Sequence, residues 1–484
     1  MIGTPRISLS APRFRLFSAV GILLAIGFLG SACRDADRNG LLYGKPQADG
    51  EAPILVIGMD GLEWDILLPL LHQGELPNMA RMMDRGAFGY LETLHPTWSP
   101  RIWTSVATGK NPEDHGVLDF VHYAEDRTPI SLYTSEDRKV KAWWNILSEA
   151  GIPNDTIGWW MTFPVEPVDG LMVAQTNAPV GGDGPSKGLL RDGVPAQVFP
   201  VSREGEVFNL MAQAEESLDE TIAGIFGTPD LFSDEAQERW EDCRWAFRAD
   251  STYLKIALDC AKRGPAPMTA VYFGGTDVVG HRFFAAYQPG DYDLRSDSDE
   301  VRVFADVIPN YYRYMDSVLG DLVEAWPADT TFFVLSDHGM VSQREEVAKR
   351  GGLHAKRNDG KLNLTHTGGH GRGEAGVLFA AGPLILDLSE SGPASLSSNE
   401  LPTIGGVLDL CPTLLQIFGI PVGRDMAGGV WREMLAKSVT ELPWIATHDD
   451  EAWRMARPHT GIQPTDSSGR IDQLGDLGYL DEDK

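Results

Sequence analysis

Short apolar runs without a polar break constrain this chain most. Pro53-Ile-Leu-Val-Ile-Gly-Met59, Met268-Thr-Ala-Val-Tyr-Phe273, Thr331-Phe-Phe-Val-Leu335 and Gly376-Val-Leu-Phe-Ala-Ala381 are of this kind. A strand with one wet face alternates apolar and polar residues. A continuous run belongs to a strand covered on both sides, as in parallel sheets. Helical sequence lies between the runs. Its clearest stretch extends from about Pro309 to Trp326, with Ile308, Tyr311, Tyr312, Met315, Val318, Leu319 and Leu322 at helical spacing. The alternation predicts an α/β fold, a mostly parallel central sheet flanked by helices.

The chain has 484 residues, 43% hydrophobic and 23% charged, an ordinary globular balance able to bury a large core. Residues 52–177 and 266–440 carry the strand–helix alternation. Between them, Ala178 to Gly205 is rich in Gly and Pro and leads into helical sequence from Glu206 to Lys262. Residues 178–265 therefore read as a helical insertion or cap beside the sheet. Ser389 to Gly406 reads as a long surface loop, and 441–484 as a tail that wraps the domain.

Residues 1–33 read as an export signal. Arg6, Arg13 and Arg15 precede an uncharged run from Leu16 to Ala32. Gly30-Ser31-Ala32-Cys33 is similar to the lipobox of bacterial lipoproteins, which implies lipid attachment at Cys33 and a periplasmic or membrane-anchored location. An uncleaved N-terminal anchor would also place the domain outside the cytoplasm. Residues 34–51 form a polar linker. The other cysteines, Cys243, Cys260 and Cys411, have no metal-binding spacing, and a Cys243–Cys260 disulfide and buried thiols both remain open. With 41 basic against 69 acidic residues the formal charge is −28, which repels nucleic-acid polymers. A small anionic substrate requires local positive charge, such as metal ions supply.

Ligands of open parallel sheets bind beyond the carboxyl ends of the strands. Asp60 follows the first run, Asp277-Val-Val-Gly-His281 follows the second, Asp337-His338 follows the third, and His370 precedes the fourth. Singly, each has an ordinary reading as a turn, cap or core residue, and His366 rivals His370. Together they make a set of oxygen and nitrogen donors suited to Zn²⁺ or Mn²⁺. Ser99-Pro100 marks a helix N-terminus, with Ser as cap and Pro as first helical residue. A hydroxyl there lies among free N–H groups at the positive helix end, and metal contact would make it a nucleophile. Capping and catalysis are both open for Ser99. Arg101 and Lys110 are candidates for substrate contact or for surface charge.

The order Asp60, Ser99, Asp277-x-x-x-His281, Asp337-His338 and His370 resembles the alkaline phosphatase superfamily, most closely its type I phosphodiesterase/nucleotide pyrophosphatase branch. The likeness spans roughly Pro53 to Trp431 and includes Ala107-Thr-Gly-Lys-Asn-Pro-Glu-Asp-His-Gly116 and Leu408-Asp-Leu-Cys-Pro-Thr-Leu-Leu415. It implies an alkaline phosphatase-like fold and two divalent ions. Asp277, His281 and His370 would bind one; Asp60, Asp337 and His338 the other, with Ser99 bridging toward it. The implied reaction is hydrolysis of small phosphate mono- or diesters through a phosphoseryl intermediate. A phosphomutase or phosphotransferase, or an inactive metal-stabilised surface lipoprotein, are the alternatives. Diesterases of this branch commonly use Thr where Ser99 stands, and carry Asn shortly after the His-Gly, where this chain has Asp119-Phe120. Ser99-Pro100-Arg101 lacks the spacing that formylglycine sulfatases require. Gly158-Trp-Trp-Met-Thr-Phe-Pro-Val-Glu-Pro-Val168 resembles a stretch of the phosphohydrolase/phosphomutase members; for its Trp and Pro residues here, packing at the sheet edge and substrate contact are both open. Oligomeric state is not set by the sequence.

Overall fold

All six residues from Ile54 to Met59 are buried, the continuous burial that their apolar run requires. The computed structural model describes residues 52–175, 189–191, 194–227, 229–343, 364, 366–370, 374–388 and 396–456. The expected signal segment, Cys33 and the linker lie outside the described residues.

In chain order, the strands begin with β1 (Ile54–Met59), β2 (Gly86–Glu92), β3 (Val121–Tyr123) and β4 (Pro129–Leu132). Next are β5 (Asn154–Ile157), β6 (Met172–Val173), β7 (Val198–Phe199), β8 (Met268–Phe273) and β9 (Thr331–Leu335). The last are β10 (Val341–Ser342), β11 (Gly368–Gly369), β12 (Gly376–Ala381) and β13 (Thr403–Gly406). The helices that matter for the site are α1 (Trp64–His72), α2 (Ser99–Thr108), α3 (Asp234–Arg263), α4 (Gly275–Tyr287) and α5 (Val307–Ala325).

Nine strands form the main sheet in the order β13-β2-β12-β9-β1-β8-β5-β6-β7. Strands β9, β1, β8, β5 and β6 run parallel, while β12 is antiparallel to both β9 and β2. Register does the positioning. Ile54 lies opposite both Met268 and Thr331, so β1, β8 and β9 run level and end at one edge. Because β12 runs the other way, its start lies at that same edge. The three central strands and β12 match their sequence-predicted limits closely. Helix α5 begins at Val307, slightly before the expected Pro309, and its predicted apolar face, Ile308 to Leu322, is buried. Burying each such side chain contributes about 1.5–3 kcal/mol.

Helix α3 runs for 30 residues, capped by Ser233, whose side chain accepts from the Ala236 N–H. It packs on β8, α4 and α5, at the heart of the segment expected as an insertion. Short β7 pairs antiparallel with β6 and ends the sheet.

One expectation is corrected and one open alternative is closed. Thr403–Gly406, read as loop, forms edge strand β13 beside β2, with an irregular register at Gly405. A strand pairing on one side alone needs little apolar sequence, which is why its Gly content misled. Cys243, Cys260 and Cys411 are free and buried. Cys243 and Cys260 share helix α3, which holds them roughly 25 Å apart and rules out a bond between them.

The tail is fastened where it is described. Asp449 accepts from Lys110 Nζ at 2.7 Å and from the Lys141 N–H at 2.8 Å, and Asp450 pairs with Lys141 Nζ at 2.8 Å. Among the described residues no helix is long and apolar enough to cross a membrane.

Candidate active site

Strand β1 delivers Asp60 to the carboxyl edge, where its N–H donates to Phe273 O at 2.9 Å. The turn beyond it is tight. Gly61 has φ +70°, and a Cβ there would lie 2.9 Å from Asp277 Cα, so glycine lets the β1 loop touch the first turn of α4. That turn carries Asp277, with His281 one turn on. Strand β9 delivers Asp337 and His338, and β11, paired with β10, holds Gly368 and Gly369 just before His370. His370 thus directly follows a hydrogen-bonded strand pair.

All six side chains are buried. The Nε2 of His370 lies 3.0 Å from Asp277 Oδ1 and 2.8 Å from His281 Nε2, and His281 Nε2 lies 3.2 Å from Asp277 Oδ1. On the other side, His338 Nε2 is 3.4 Å from both Asp60 Oδ1 and Asp337 Oδ2. Ligand-type atoms of Asp60, Asp337 and His338 fall within 4.8 Å of one another, and so do those of Asp277, His338 and His370. The two groups meet at His338, whose ring stacks on His370 with centroids 3.7 Å apart.

Each histidine is oriented the same way. Nδ1 of His338 donates to Gly339 O at 3.0 Å, that of His281 to Gly368 O at 2.8 Å, and that of His370 to Thr97 O at 2.8 Å. A proton held on Nδ1 leaves Nε2 as a lone pair aimed into the cluster, the arrangement of a metal-ligating imidazole. His366 sits behind this set, its Nε2 2.6 Å from His281 Nδ1 and its Nδ1 near Gln343. Of the two rivals, His370 faces the carboxylates.

The electrostatics calls for a cation. Asp60 Oδ1, both oxygens of Asp337, and His338 Nε2 are buried without a hydrogen-bond partner. Burial, then the charge of Asp277, pushes Asp60 up to about 6. Burial, then Asp60, drives Asp337 well above the usual carboxylate range. Burial also raises Asp277, but His281 and His370 outweigh it and hold its carboxyl well below the ordinary value. Burial, then His370, drives His338 well below the ordinary imidazole value. Carboxylates crowded in a dry site are costly unless a positive charge joins them, and this donor set fits divalent ions.

Ser99 is 1% exposed and is the first residue of α2, not its cap. Trp98 occupies the cap position in extended conformation, which corrects the expectation of a Ser cap. Proline is tolerated anywhere in the first turn, whose N–H groups have no helical partner, so Ser-Pro fits one step further in. Two contacts anchor this helix end beside the cluster. Thr97 O holds His370, and Trp103 Nε1, one turn beyond Ser99, donates to Asp60 Oδ2 at 3.1 Å. Tyr272 donates to the same oxygen. Trp103 and Tyr272 lie outside the residues read from sequence, since neither carries a motif.

Lys110 does not face the site. Its amine is buried against Asp425 and Asp449. Arg101 lies 3.6 Å from Glu113. Trp159 of the Gly-Trp-Trp stretch packs edge-on against Trp103 and Trp143, at 5.0 and 4.8 Å.

The sequence profile of the type I phosphodiesterase/nucleotide pyrophosphatase family matches residues 54–368. The chain belongs to that family. This type I phosphodiesterase-family chain is accordingly a phosphoric ester hydrolase. Among solved structures, it is similar to human ectonucleotide pyrophosphatase/phosphodiesterase 5, at 14% identity over 80% of this chain and 100% of that one, with a TM-score of 0.45. A putative sulfatase from Bacteroides thetaiotaomicron VPI-5482 matches at 13% identity, 78% and 73% coverage, and TM-score 0.43. Phosphonoacetate hydrolase from Sinorhizobium meliloti 1021 matches at 14% identity, 67% and 61% coverage, and TM-score 0.38. No curated protein matches the sequence at a significant level.

Proposed function

We propose that this family member is an exported hydrolase of small phosphate mono- or diesters in which Ser99 attacks phosphorus beside two divalent ions. One observation carries the reading. Three carboxylates and three histidines converge, with orphaned buried acceptors among them, next to the helix end that begins with Ser99. Asp277, His281 and His370 would hold one ion, and Asp60, Asp337 and His338 the other, with Zn²⁺ or Mn²⁺ suited to both sets. Such ions, when bound, lower the pKa of a coordinated hydroxyl and offset charge on phosphoryl oxygens.

The chain's own residues do the rest. Ser99 Oγ gives up its proton to solvent and forms the bond to phosphorus as the ester oxygen leaves and is protonated by solvent. Water then cleaves the phosphoseryl bond, releasing phosphate from a monoester or a phosphate monoester from a diester, and restores the hydroxyl. The N–H groups of the first turn of α2 receive phosphoryl oxygens. Trp103 and Tyr272 keep one Asp60 oxygen turned away from the cluster and the other turned into it. The carbonyls of Thr97, Gly339 and Gly368 fix the three imidazoles in the tautomer that presents Nε2. Asp119 stands where the branch carries Asn, and an ionised carboxylate cannot donate to a phosphate oxygen as an amide does. Mono- and diesters therefore both belong in the assay.

The test is Ser99→Ala on the Zn²⁺- or Mn²⁺-reconstituted full chain, with 4-nitrophenyl phosphate and bis(4-nitrophenyl) phosphate as substrates. Loss of kcat by ~10³–10⁶-fold at unchanged metal content is the expected outcome. Undiminished turnover would remove Ser99 from the mechanism. Export and lipid attachment at Cys33 are tested by mass spectrometry of the membrane-associated protein, where Cys33→Ala should abolish a diacylglyceryl adduct.

A further inference from the structure

Four buried polar groups behind the ligand loops have no part in the chemistry above. Asp250, on α3 and 1% exposed, accepts from the Gly274 N–H at 3.0 Å, the Gly275 N–H at 3.1 Å and the Tyr311 hydroxyl at 2.6 Å. Gly275 opens α4, so these bonds fix the start of the helix that carries Asp277 and His281. The fit is close. A Cβ on Gly275 would lie 1.7 Å from Tyr311 Oη and 2.7 Å from Asp250 Oδ2.

Glu63, 7% exposed, plays a matching part for the other loops. Its Oε1 accepts from the Asp65 N–H at 3.1 Å, which caps α1. Its Oε2 accepts from the Met340 N–H at 3.0 Å, two residues past His338. The Glu63 N–H donates to Tyr312 Oη at 3.0 Å, and the Tyr312 hydroxyl points to Gly61 O at 3.4 Å. A side chain on Gly339 would strike Glu63 Oε2 at 2.2 Å. One buried carboxylate thus joins the loop of Asp60 to the loop of Asp337 and His338. Tyr311 and Tyr312 are neighbours on α5, so a single helix holds both arrangements.

We propose that Asp250–Tyr311 and Glu63–Tyr312 form a two-armed brace on α5 that positions the two halves of the metal-ligand set separately. The first arm sets Asp277 and His281; the second sets Asp60 relative to Asp337 and His338. All four are positioning residues, acting on loop backbone. The proposal rests on the two-ion reading above. Its physical basis is that a buried carboxylate accepting backbone N–H groups is a strong, directional tether. Removing it leaves those N–H groups unpaired, and outer partners of metal ligands commonly govern metal affinity by 10–100-fold.

The experiment is a two-site Zn²⁺ titration of the metal-stripped full chain by competition with a chromophoric chelator, with the Co²⁺ absorption spectrum reporting ligand geometry. Asp277→Asn and Asp337→Asn mark which affinity belongs to which half. Asp250→Ala and Tyr311→Phe should weaken by about 10–100-fold the site that Asp277→Asn removes, leaving the other within about threefold. Glu63→Ala and Tyr312→Phe should do the reverse. Glu63→Gln, which can keep its Met340 bond, should recover part of the loss that Glu63→Ala suffers. The Tyr→Phe pair, each lacking one hydroxyl, decides the matter if the carboxylate variants do not fold. Equal weakening of both sites by either arm, or of neither, overturns the brace alone. A wild-type chain that takes up fewer than two ions overturns the two-ion reading and the brace with it.

Discussion

Replacing Lys110 by Met separates a structural lysine from a substrate-binding one. The lysine side chain is 4% exposed and pairs with Asp425, 36% exposed, and with Asp449, 6% exposed, at 2.7 Å from the latter. Burial alone would lower its pKa, but the two carboxylates hold it above the ordinary value. Met preserves most of the apolar stem, so the loss is chiefly of charge. Breaking a buried pair by deleting one partner costs about 3–5 kcal/mol. Asp425 regains water, and Asp449 keeps the Lys141 N–H at 2.8 Å, which places the expected loss near the lower end, at about 3 kcal/mol. Denaturant unfolding followed by tryptophan fluorescence measures it. A cycle with Asp449→Asn should give a coupling of about 1–3 kcal/mol. The folded fraction should keep kcat/KM within about threefold, because the amine points away from the cluster. A variant as stable as wild type within ~0.5 kcal/mol, yet with kcat/KM lowered about tenfold, would return Lys110 to the substrate and refute the assignment.

Three more outcomes follow from the same geometry. Trp103→Phe removes the donor 3.1 Å from Asp60 Oδ2 and should weaken metal binding by about 10–100-fold, read by chelator competition; unchanged affinity would mean that this bond does not orient Asp60. Zn²⁺ or Mn²⁺ at about 100 times Kd should stabilise the wild type by about 2.7 kcal/mol for each ion bound, and Asp337→Asn should lose much of that gain in thermal melts. Burial, then Arg138 and Arg101, lowers His115 to about 3, with Ser105 Oγ 2.9 Å from its Nε2. The unfolded chain protonates this residue near pH 6.5 and the folded chain near 3, so its contribution is present above 6.5 and is lost as pH falls through that window. The slope is about 1.4 kcal/mol per pH unit, and His115→Gln should flatten this limb of the stability–pH curve; an unchanged limb would assign it elsewhere.

Central strands were readable because burial on both faces demands uninterrupted apolar sequence, and β1, β8, β9 and β12 answer to that rule. Edge pairing makes no such demand. Thr403–Gly406 gains its place by hydrogen-bonding to β2 on one side, and nothing in Thr-Ile-Gly-Gly announces it. The same division holds at the site. Asp and His at strand ends can be found once the strands are known. Their orientation depends on carbonyls of Thr97, Gly339 and Gly368, and a backbone carbonyl leaves no mark in a sequence. Lys110 was ambiguous for a related reason: its partners lie 315 and 339 residues away. Asp250 was invisible as a brace because a carboxylate inside a helical stretch ordinarily faces water, and Glu63 because a carboxylate just before a helix ordinarily does no more than cap it.

The reversed strand explains why one edge can hold so many Asp and His side chains. In a purely parallel sheet, only loops that leave strands reach the carboxyl edge, and these supply Asp60, the Asp277–His281 helix and Asp337–His338. Strand β12 enters the sheet at that edge, so the segment before it also arrives there, bringing His370 against Asp277 at 3.0 Å. The level start of β1, β8 and β9 then sets the spacing between these segments. A slip of one residue in any of the four strands would turn its inward side chains to the opposite face and carry the neighbouring Asp or His away with them. The cluster is therefore encoded twice. The Asp and His residues supply the donor atoms, and apolar runs elsewhere in sequence, by fixing register, decide that those residues meet.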